Sequence, residues 1–312
     1  MSPLDLQSQL TQFVEVLSAN SRSLGSEPDY LAGAIEHWAR WQSETCFTVL
    51  ASQDGRPAAV VNFRWSNPKS RDVALEGLRV LPEHRGNGLS GRMLEAFLNA
   101  PEVMRRRPFA LRDVVATDNA GANAIARKLG MSPTVSIQTL EHNPIARVEA
   151  VSTSARTLSE QDLQGALDDA LGLMSSDRAP IGLIDWRPTP ITAADLLIAA
   201  AERRVVGVGT ASHLQAIALL APKPCLIRDG GVQIAAAGAS TSGAAHDLAV
   251  YFEGLRAAEP AIRSIIAHTA STSLLAFVMF SRGWQPNRWY QDIIYHRAIA
   301  ADADPKHSGE GT

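Results

Sequence analysis

Residues 80–94, VLPEHRGNGLSGRML, lead from a strand-like run into a helix-like one through Gly86, Gly88 and Gly91. No other stretch constrains the fold as much. Glycine lets a backbone turn sharply and lets an anion come close to its N–H groups. The start of the following helix adds unpaired N–H groups and the positive end of a dipole. The stretch therefore reads as an anion-binding strand–loop–helix unit. Two fingerprints overlap in it: the three glycines spell G-x-G-x-x-G, and Arg85, Gly88 and Ser90 spell R-x-x-G-x-small. A dinucleotide-binding loop needs its first glycine where a buried strand ends, early in a βαβ unit. Here the strand ALEGLRV stops near Val80, and LPEH, with its proline, intervenes before Arg85 and Gly86. Asp113 lies at a fitting distance for a ribose-binding acid, but the strands before the loop form a meander, which disfavours that reading. A Walker loop would need Gly-Lys-Ser/Thr, which this loop lacks.

The surroundings fix the rest of the unit. LDLQSQLTQFVEVLSA and PDYLAGAIEHWARWQ have helical apolar spacing. TCFTVLAS, RPAAVVNFRWS and DVALEGLRV read as strands, with QDGRP a hairpin turn and NPKSRD a longer loop. SGRMLEAFLNA is a helix, Arg105–Arg107 a solvated loop and FALRDVVAT a strand. NAGANAIARKLG is a helix ending at Gly130, and TVSIQTLE is a last strand. HNPIARVEAVSTSAR reads as a connector. SEQDLQGALDDALGLM, ITAADLLIAAAERR, AAHDLAVYFEGLRAA and TSLLAFVMFSRG read as helices. RVVGVGTAS, LQAIALLA, PCLIRD, GVQIAAAGAS, AIRSIIAHT and RWYQDIIYHRAI are apolar, strand-like runs. The tail ADADPKHSGEGT is polar and reads as disordered. The halves rhyme: each ends helix, glycine, bulky apolar residue, proline, strand, with Gly130 and Pro133 matching Gly283 and Pro286. A tandem duplication accounts for this.

Composition excludes other classes. The chain's 312 residues are ample for two domains, with 46% apolar and 20% charged residues. A net charge of −3 argues against nucleic acid or an anionic membrane as partner. Cys46 and Cys225 sit in separate halves with no metal-ligand spacing, so no metal is expected. MSPLDLQSQL lacks the basic and apolar regions of a secretory signal, and no apolar run reaches the ~20 residues of a membrane span. A cytoplasmic protein is expected.

LEGLRVLPEHRGNGLSGRML, followed in order by NAGANAIARKLGM, resembles the GNAT superfamily of N-acetyltransferases. Asn119, Ala122, Ile125, Lys128, Gly130 and Met131 fall in the family's helix register. The resemblance covers roughly residues 1–140. In the second half GASTSGAAHD stands where the loop should be, which puts a second cofactor site in doubt. The resemblance implies an α/β (α+β) fold of two tandem GNAT-like domains, each a mixed, mostly antiparallel twisted sheet flanked by helices. The first spans 1–145 and carries an acetyl-CoA site, the second spans 150–300 and is degenerate, and 301–312 is the tail. E-G-L-R-V and D-W-R-P further resemble histidine N-acetyltransferase-like proteins.

The resemblance also implies roles. Leu78, Arg79 and Val80 would pair with pantetheine and polarise the thioester. Arg85, Gly86, Asn87, Gly88, Leu89, Ser90 and Gly91 would hold the pyrophosphate, with Arg85 adding charge or pinning the loop. Asn119 would touch pantetheine or cap its helix. An amine must lose a proton before it attacks, and Glu76 is the candidate base, placed by strand alternation on one face with Leu78 and Val80. The family's proton-donating tyrosine position is Ala126; Tyr251, Tyr290 and Tyr295 are substitutes to consider. The expected acceptor is a small primary amine, first the α-amine of free histidine. Its carboxylate would call on Arg64, Arg79 or Arg187 and its imidazole on Asp185 and Trp186, with Tyr290 a further contact; DWRP otherwise reads as a helix-entry turn. The alternatives are an idle acyl-CoA sensor, or an acetyltransferase for an aminoglycoside, polyamine or peptide N-terminus.

Overall fold

The computed structural model describes residues 6–15, 31–42, 44–66, 68–108, 110–142, 152–176, 179–184, 187–222, 231–259, 261–271 and 273–299. The chain forms two compact units that interleave in sequence. One takes Met1–Asp113, Ala124–Ser132 and His296–Thr312, the other Val114–Asn123 and Pro133–Tyr295.

In the first unit, α1 (residues 6–15) and α2 (Leu31–Arg40) precede a meander of β1 (Cys46–Gln53), β2 (Arg56–Trp65) and β3 (Asp72–Val80). Asp54 and Gly55, at φ 52° and 74°, close β1 onto β2 in a two-residue turn whose twist suits paired strands. α3 (Leu89–Leu98) and α4 (Pro101–Arg106) lead to β4 (Ala110–Ala116), giving the order β1-β2-β3-β4. One face of the meander packs on Phe97 of α3, with Phe63 stacked at 3.9 Å and Phe47 edge-on at 5.6 Å between ring centroids. The other face, with Cys46 and Val60, is covered by Leu6, Leu10 and Phe13 of α1 and by Ile35 and Trp38 of α2. Arg105 and Arg106 lie in α4 rather than in a loop, because Pro101 opens a helical turn and Arg106 stacks 4.5 Å over Trp65.

α5 (Ala120–Lys128) ends at Gly130, φ 75°. The Gly130 N–H donates to Arg127 O at 2.9 Å and the Met131 N–H to Ala126 O at 3.0 Å, the double bond of a Schellman stop. β5 (Ser132–His142) follows.

The second unit adds β6 (Arg156–Thr157), α6 (Glu160–Gln164), α7 (Leu167–Met174), β7 (Ser175–Ser176), β8 (Ala179–Ile184), β9 (Arg187–Pro190) and α8 (Ala193–Ala201). It continues with β10 (Val205–Thr210), β11 (His213–Leu220), β12 (Gly231–Ala239), α9 (Ser242–Ala258), β13 (Ser264–Ala270), α10 (Leu274–Ser281) and β14 (Gln285–Ala298). Its main sheet runs β14-β5-β13-β12-β11-β10-β6, and β7-β8-β9 form a small second sheet. Within the main sheet β12 and β13 are parallel, while β5/β13, β11/β12, β10/β11 and β6/β10 are antiparallel. α9 and α10 cover one face through Leu248, Phe252, Leu275 and Met279, and α6 to α8 the other through Leu163, Ala170 and Leu196. The Schellman stop recurs at Gly283, φ 88°, with Gly283 N–H on Phe280 O and Trp284 N–H on Met279 O.

Two expectations need correction. SEQDLQGALDDALGLM is two helices, broken at Gly165, where the chain passes so close that a Cβ would lie 2.4 Å from Ala211 O. Arg187 and Pro188 of DWRP are in a strand, since β9 pairs antiparallel with β8 and Arg187 lies opposite Ile184, so these two residues are not a helix-entry turn. Asp185, Trp186, the PCLIRD run with Cys225, and the tail 301–312 lie outside the described residues, as does the Tyr290 side chain. Among the described residues no helix is long and apolar enough to cross a membrane.

Candidate active site

β3 carries the candidate base and ends at the glycine loop. It pairs in parallel with β4 only over Asp72–Ala74, where Arg112 also grips Asp72 at 2.8 Å. Among the described residues, the stretch Glu76–Val80 has β2 along one edge and no strand along the other. An open edge of this kind presents N–H and C=O groups to an extended ligand.

Gly77 lies at φ 66°, and across it the register with β2 shifts from Asn62↔Glu76 to Val60↔Arg79. This is a β-bulge, one extra residue on β3 against β2. It overturns the alternation argument: Glu76 shares its face with Arg79, not with Leu78 and Val80. The face it shares also holds Cys46, Thr48, Val60, Asn62 and Arg64, the side covered by α2. Trp38 of α2 donates its Nε1–H to Glu76 Oε2 at 3.2 Å. Thr48 donates its hydroxyl to Asn62 Oδ1 at 2.9 Å, and the Thr48 N–H reaches Gln42 Oε1 at 2.9 Å. Trp38, Thr48, Asn62 and the bulge escaped the sequence reading. A glycine inside the strand run, at Gly77, was the available signal for the bulge.

Beyond Val80, a short 3-10 turn (Pro82–His84) brings the chain to Arg85, whose Nε donates to Val80 O at 3.2 Å and so pins the loop to its strand. Gly86 and Gly88 are at φ 81° and 69°, and a Cβ on Gly86, Gly88 or Gly91 would meet nothing within 4 Å. Gly88 is the N-cap of α3 and contributes no side-chain cap. Among the described residues, no hydrogen bond joins the amides of residues 86–91 to an acceptor. Leu89 anchors the loop by burying its side chain, while Gly86, Asn87 and Gly88 are exposed. The loop thus offers a row of unpaired N–H groups, with open space at the Cβ positions of its three glycines.

The structure brings Arg64 and Arg79 onto the Glu76 face. Asn119 lies in the second unit, where its Oδ1 accepts the Ala122 N–H at 3.0 Å and caps α5. Tyr295 is buried and donates to Asn123 Oδ1 at 2.9 Å; Tyr251 shares a 3.1 Å hydrogen bond with Thr157. Ala126 is buried in α5. Arg187 sits on β9 in the second unit. Among the described residues no group of three or more His, Cys, Asp or Glu is gathered as a metal site.

In the second unit the segment after β12 is closed. Ser240 N–H and Oγ–H both donate to Gln215 O, at 2.8 and 3.1 Å, and Thr241 Oγ1 caps α9 by accepting from Ala244 N–H at 3.2 Å. The chain at Gly238 runs so near Leu173 O that a Cβ would lie 1.7 Å from it.

Residues 11–131 match the model of the Acetyltransferase (GNAT) family. Over nearly the whole chain the fold is that of solved GNAT structures. A GCN5-related N-acetyltransferase from Sphaerobacter thermophilus is 16% identical, with TM-score 0.63 over 96% of this chain and 95% of that one. A tandem GNAT protein from the clavulanic acid biosynthesis pathway is 12% identical, with TM-score 0.55 over 97% and 98%. A putative acetyltransferase from Thermoplasma acidophilum is 17% identical, with TM-score 0.53 over 96% and 98%. No curated protein matches the chain.

Proposed function

We propose that the chain transfers the acetyl group of acetyl-CoA to the primary amine of a small molecule, a reading supported by the match of residues 11–131 to the Acetyltransferase (GNAT) family model. The observation that carries this is the loop of residues 86–91, whose unpaired amides open α3 directly after a bulged, half-paired strand. The pyrophosphate lies on the amides of Gly86–Gly91, and the pantetheine runs along Leu78, Arg79 and Val80, the open edge of β3. Anions bind helix N-termini of this kind through N–H groups and dipole together. Asn119 serves as a helix cap. Glu76, held by Trp38, takes the proton of the bound ammonium. The neutral amine then attacks the thioester carbonyl; as the tetrahedral intermediate collapses, its surplus N–H proton passes to the departing sulfur, and CoA leaves as the thiol, whose pKa of about 8.5 means no dedicated acid is needed near neutral pH.

The closed segment after β12 supports one CoA per chain, on the first-half loop, with residues 150–300 forming a tandem GNAT-like half that no longer binds it. For the acceptor we propose the α-amine of a free amino acid, histidine first, on the likeness of E-G-L-R-V and D-W-R-P. The test is steady-state kinetics with acetyl-CoA against twenty amino acids, polyamines, an aminoglycoside and a peptide N-terminus. Histidine should lead in kcat/KM; a tenfold win by another amine defeats the substrate assignment and leaves the acetyltransferase. Tight CoA binding with no thiol release on any amine would favour a sensor, the reading that Ala126 in the tyrosine position supports.

A further inference from the structure

β14 carries a buried carboxylate at odds with its surroundings. Asp292 is 3% exposed, and among the described residues its Oδ2 has no hydrogen-bond partner. Burying a carboxylate is costly unless it is neutralised, hydrogen-bonded or set against a cation. Tyr295, further along the strand, does not serve it: the Tyr295 hydroxyl donates to Asn123 Oδ1 at 2.9 Å, on the α5 side of β14. Strand alternation puts Asp292 on the other side, with Ile294. There Ile294 packs with Ile137 of β5 and Leu183 of β8, and Val114 of β4 lies against them. Among the described residues, the charge that acts on Asp292 is that of Asp118, an exposed residue just before α5. It has the same sign, so it adds to the demand for positive charge that burial creates. All of these residues belong to the second unit.

The partner's chemistry follows from these neighbours. Protonation turns Oδ2 into a donor, which among the described residues has no acceptor. A hard metal ion takes about six or more oxygen ligands, and among the described residues no three His, Cys, Asp or Glu gather for one. An ammonium or guanidinium group satisfies a carboxylate through short, charge-assisted N–H bonds. A hydrocarbon stem suits the apolar side chains beside it. We propose that Asp292 anchors a binding site in the second unit for a small organic cation, an ammonium or guanidinium group on a short apolar stem. The head donates N–H bonds to the Asp292 carboxylate, and the stem lies along Ile294 and its neighbours. Asp118, on the exposed side, attracts the cation. The site lies beyond the acetyltransferase reading and does not rest on it. The cation replaces the proton on Asp292, whose pKa is pushed up to about 7 by burial and by Asp118. Affinity therefore falls as pH drops below about 7, and a cation bound there releases a proton.

Titration calorimetry on the full chain without acetyl-CoA, using n-butylamine and n-butylguanidine, tests this, with 1-butanol as the uncharged counterpart. Both bases stay cationic between pH 5.5 and 8. Expected is saturable binding of at least one of them, about tenfold or more tighter at pH 8 than at pH 5.5. At pH 5.5 the heat should differ between buffers of unlike ionisation enthalpy, the mark of a released proton. 1-Butanol should bind about tenfold or more weakly than the better base. Asp292→Asn keeps the size and removes the charge, and should lose both the affinity and its pH dependence. A crystal structure of the full chain with n-butylamine should place the amine nitrogen within hydrogen-bond reach of Asp292. Three results overturn the proposal: no binding of either base, binding that survives Asp292→Asn, or equal affinity at the two pH values. A protein donor on Oδ2 in that crystal structure overturns it too, even if the variant does not fold. Acetyl transfer is not assayed, so each of these outcomes leaves the acetyltransferase reading where it stands.

Discussion

The chemistry proposed for the first unit turns on a few residues. Gly88→Val puts a β-branched side chain at φ 69°, in the open space where an anion would approach. CoA affinity should fall more than tenfold, about 1.4 kcal/mol, by titration calorimetry. Glu76→Gln should keep CoA binding and lose roughly 10²–10⁴ in kcat, the usual weight of a general base; full activity across pH 6–9 would make Glu76 structural. In the second unit, burial first and the charge of Asp118 second push the Asp292 carboxyl up to about 7. The folded chain thus holds a proton that the unfolded chain releases above about pH 4. Stability from this group therefore falls as pH rises from about 4 through 7. Asp292→Asn should match wild type in Tm near pH 4 and exceed it near pH 8. His268 has the opposite sign: burial lowers its pKa to about 3, so its share is complete above about pH 6.5 and is lost as pH falls. Its neutral ring sits between Thr139 Oγ1 at 3.0 Å and Gln233 Nε2 at 2.7 Å.

At the scale of elements, β3 and α5 are the informative ones. The Gly77 bulge rotates the end of β3, so Arg79 rather than Leu78 shares a face with Glu76. Gly77→Val would strain φ 66° at roughly 1–2 kcal/mol and disturb this hand-over. Turnover should drop more than CoA affinity, as comparison of kcat with calorimetric Kd will show. The α5 cap is a separate matter. Asn119→Ala removes the 3.0 Å bond to Ala122 N–H and should cost about 1 kcal/mol in urea unfolding. A much larger loss of CoA affinity than of stability would return Asn119 to the cofactor.

For the whole molecule, β5 is decisive. It ends the first half of the sequence, yet Pro133–His142 belongs to the second unit, with Ile137–His142 paired antiparallel to β13. A fragment of residues 1–150 leaves that strand without its partner and with an exposed edge, a template for aggregation. It should be insoluble or inactive by size-exclusion chromatography and assay. A soluble fragment with full activity on the natural amine would refute any need for the second half. Calorimetry on the intact chain should find one CoA.

The sequence alone determined what depends on local chemistry. Asp54-Gly55 made the β1–β2 turn, Gly130 and Gly283 made matching helix stops, and Gly86, Gly88 and Gly91 opened the loop before α3, because left-handed turns and close backbone approach require glycine. Periodicity found most helices and strands for the same reason. It could not find what depends on partners distant in the chain. Gly165 breaks its helix because Ala211 lies against it, Arg105 and Arg106 join a helix whose Arg106 finds Trp65, and Asn62 meets Thr48 and Glu76 only when three strands align. The face that Glu76 presents was settled by a single bulge, since one added residue reverses the side on which every later side chain of a strand projects. Pairing and register are long-range events, and tertiary structure alone decides them.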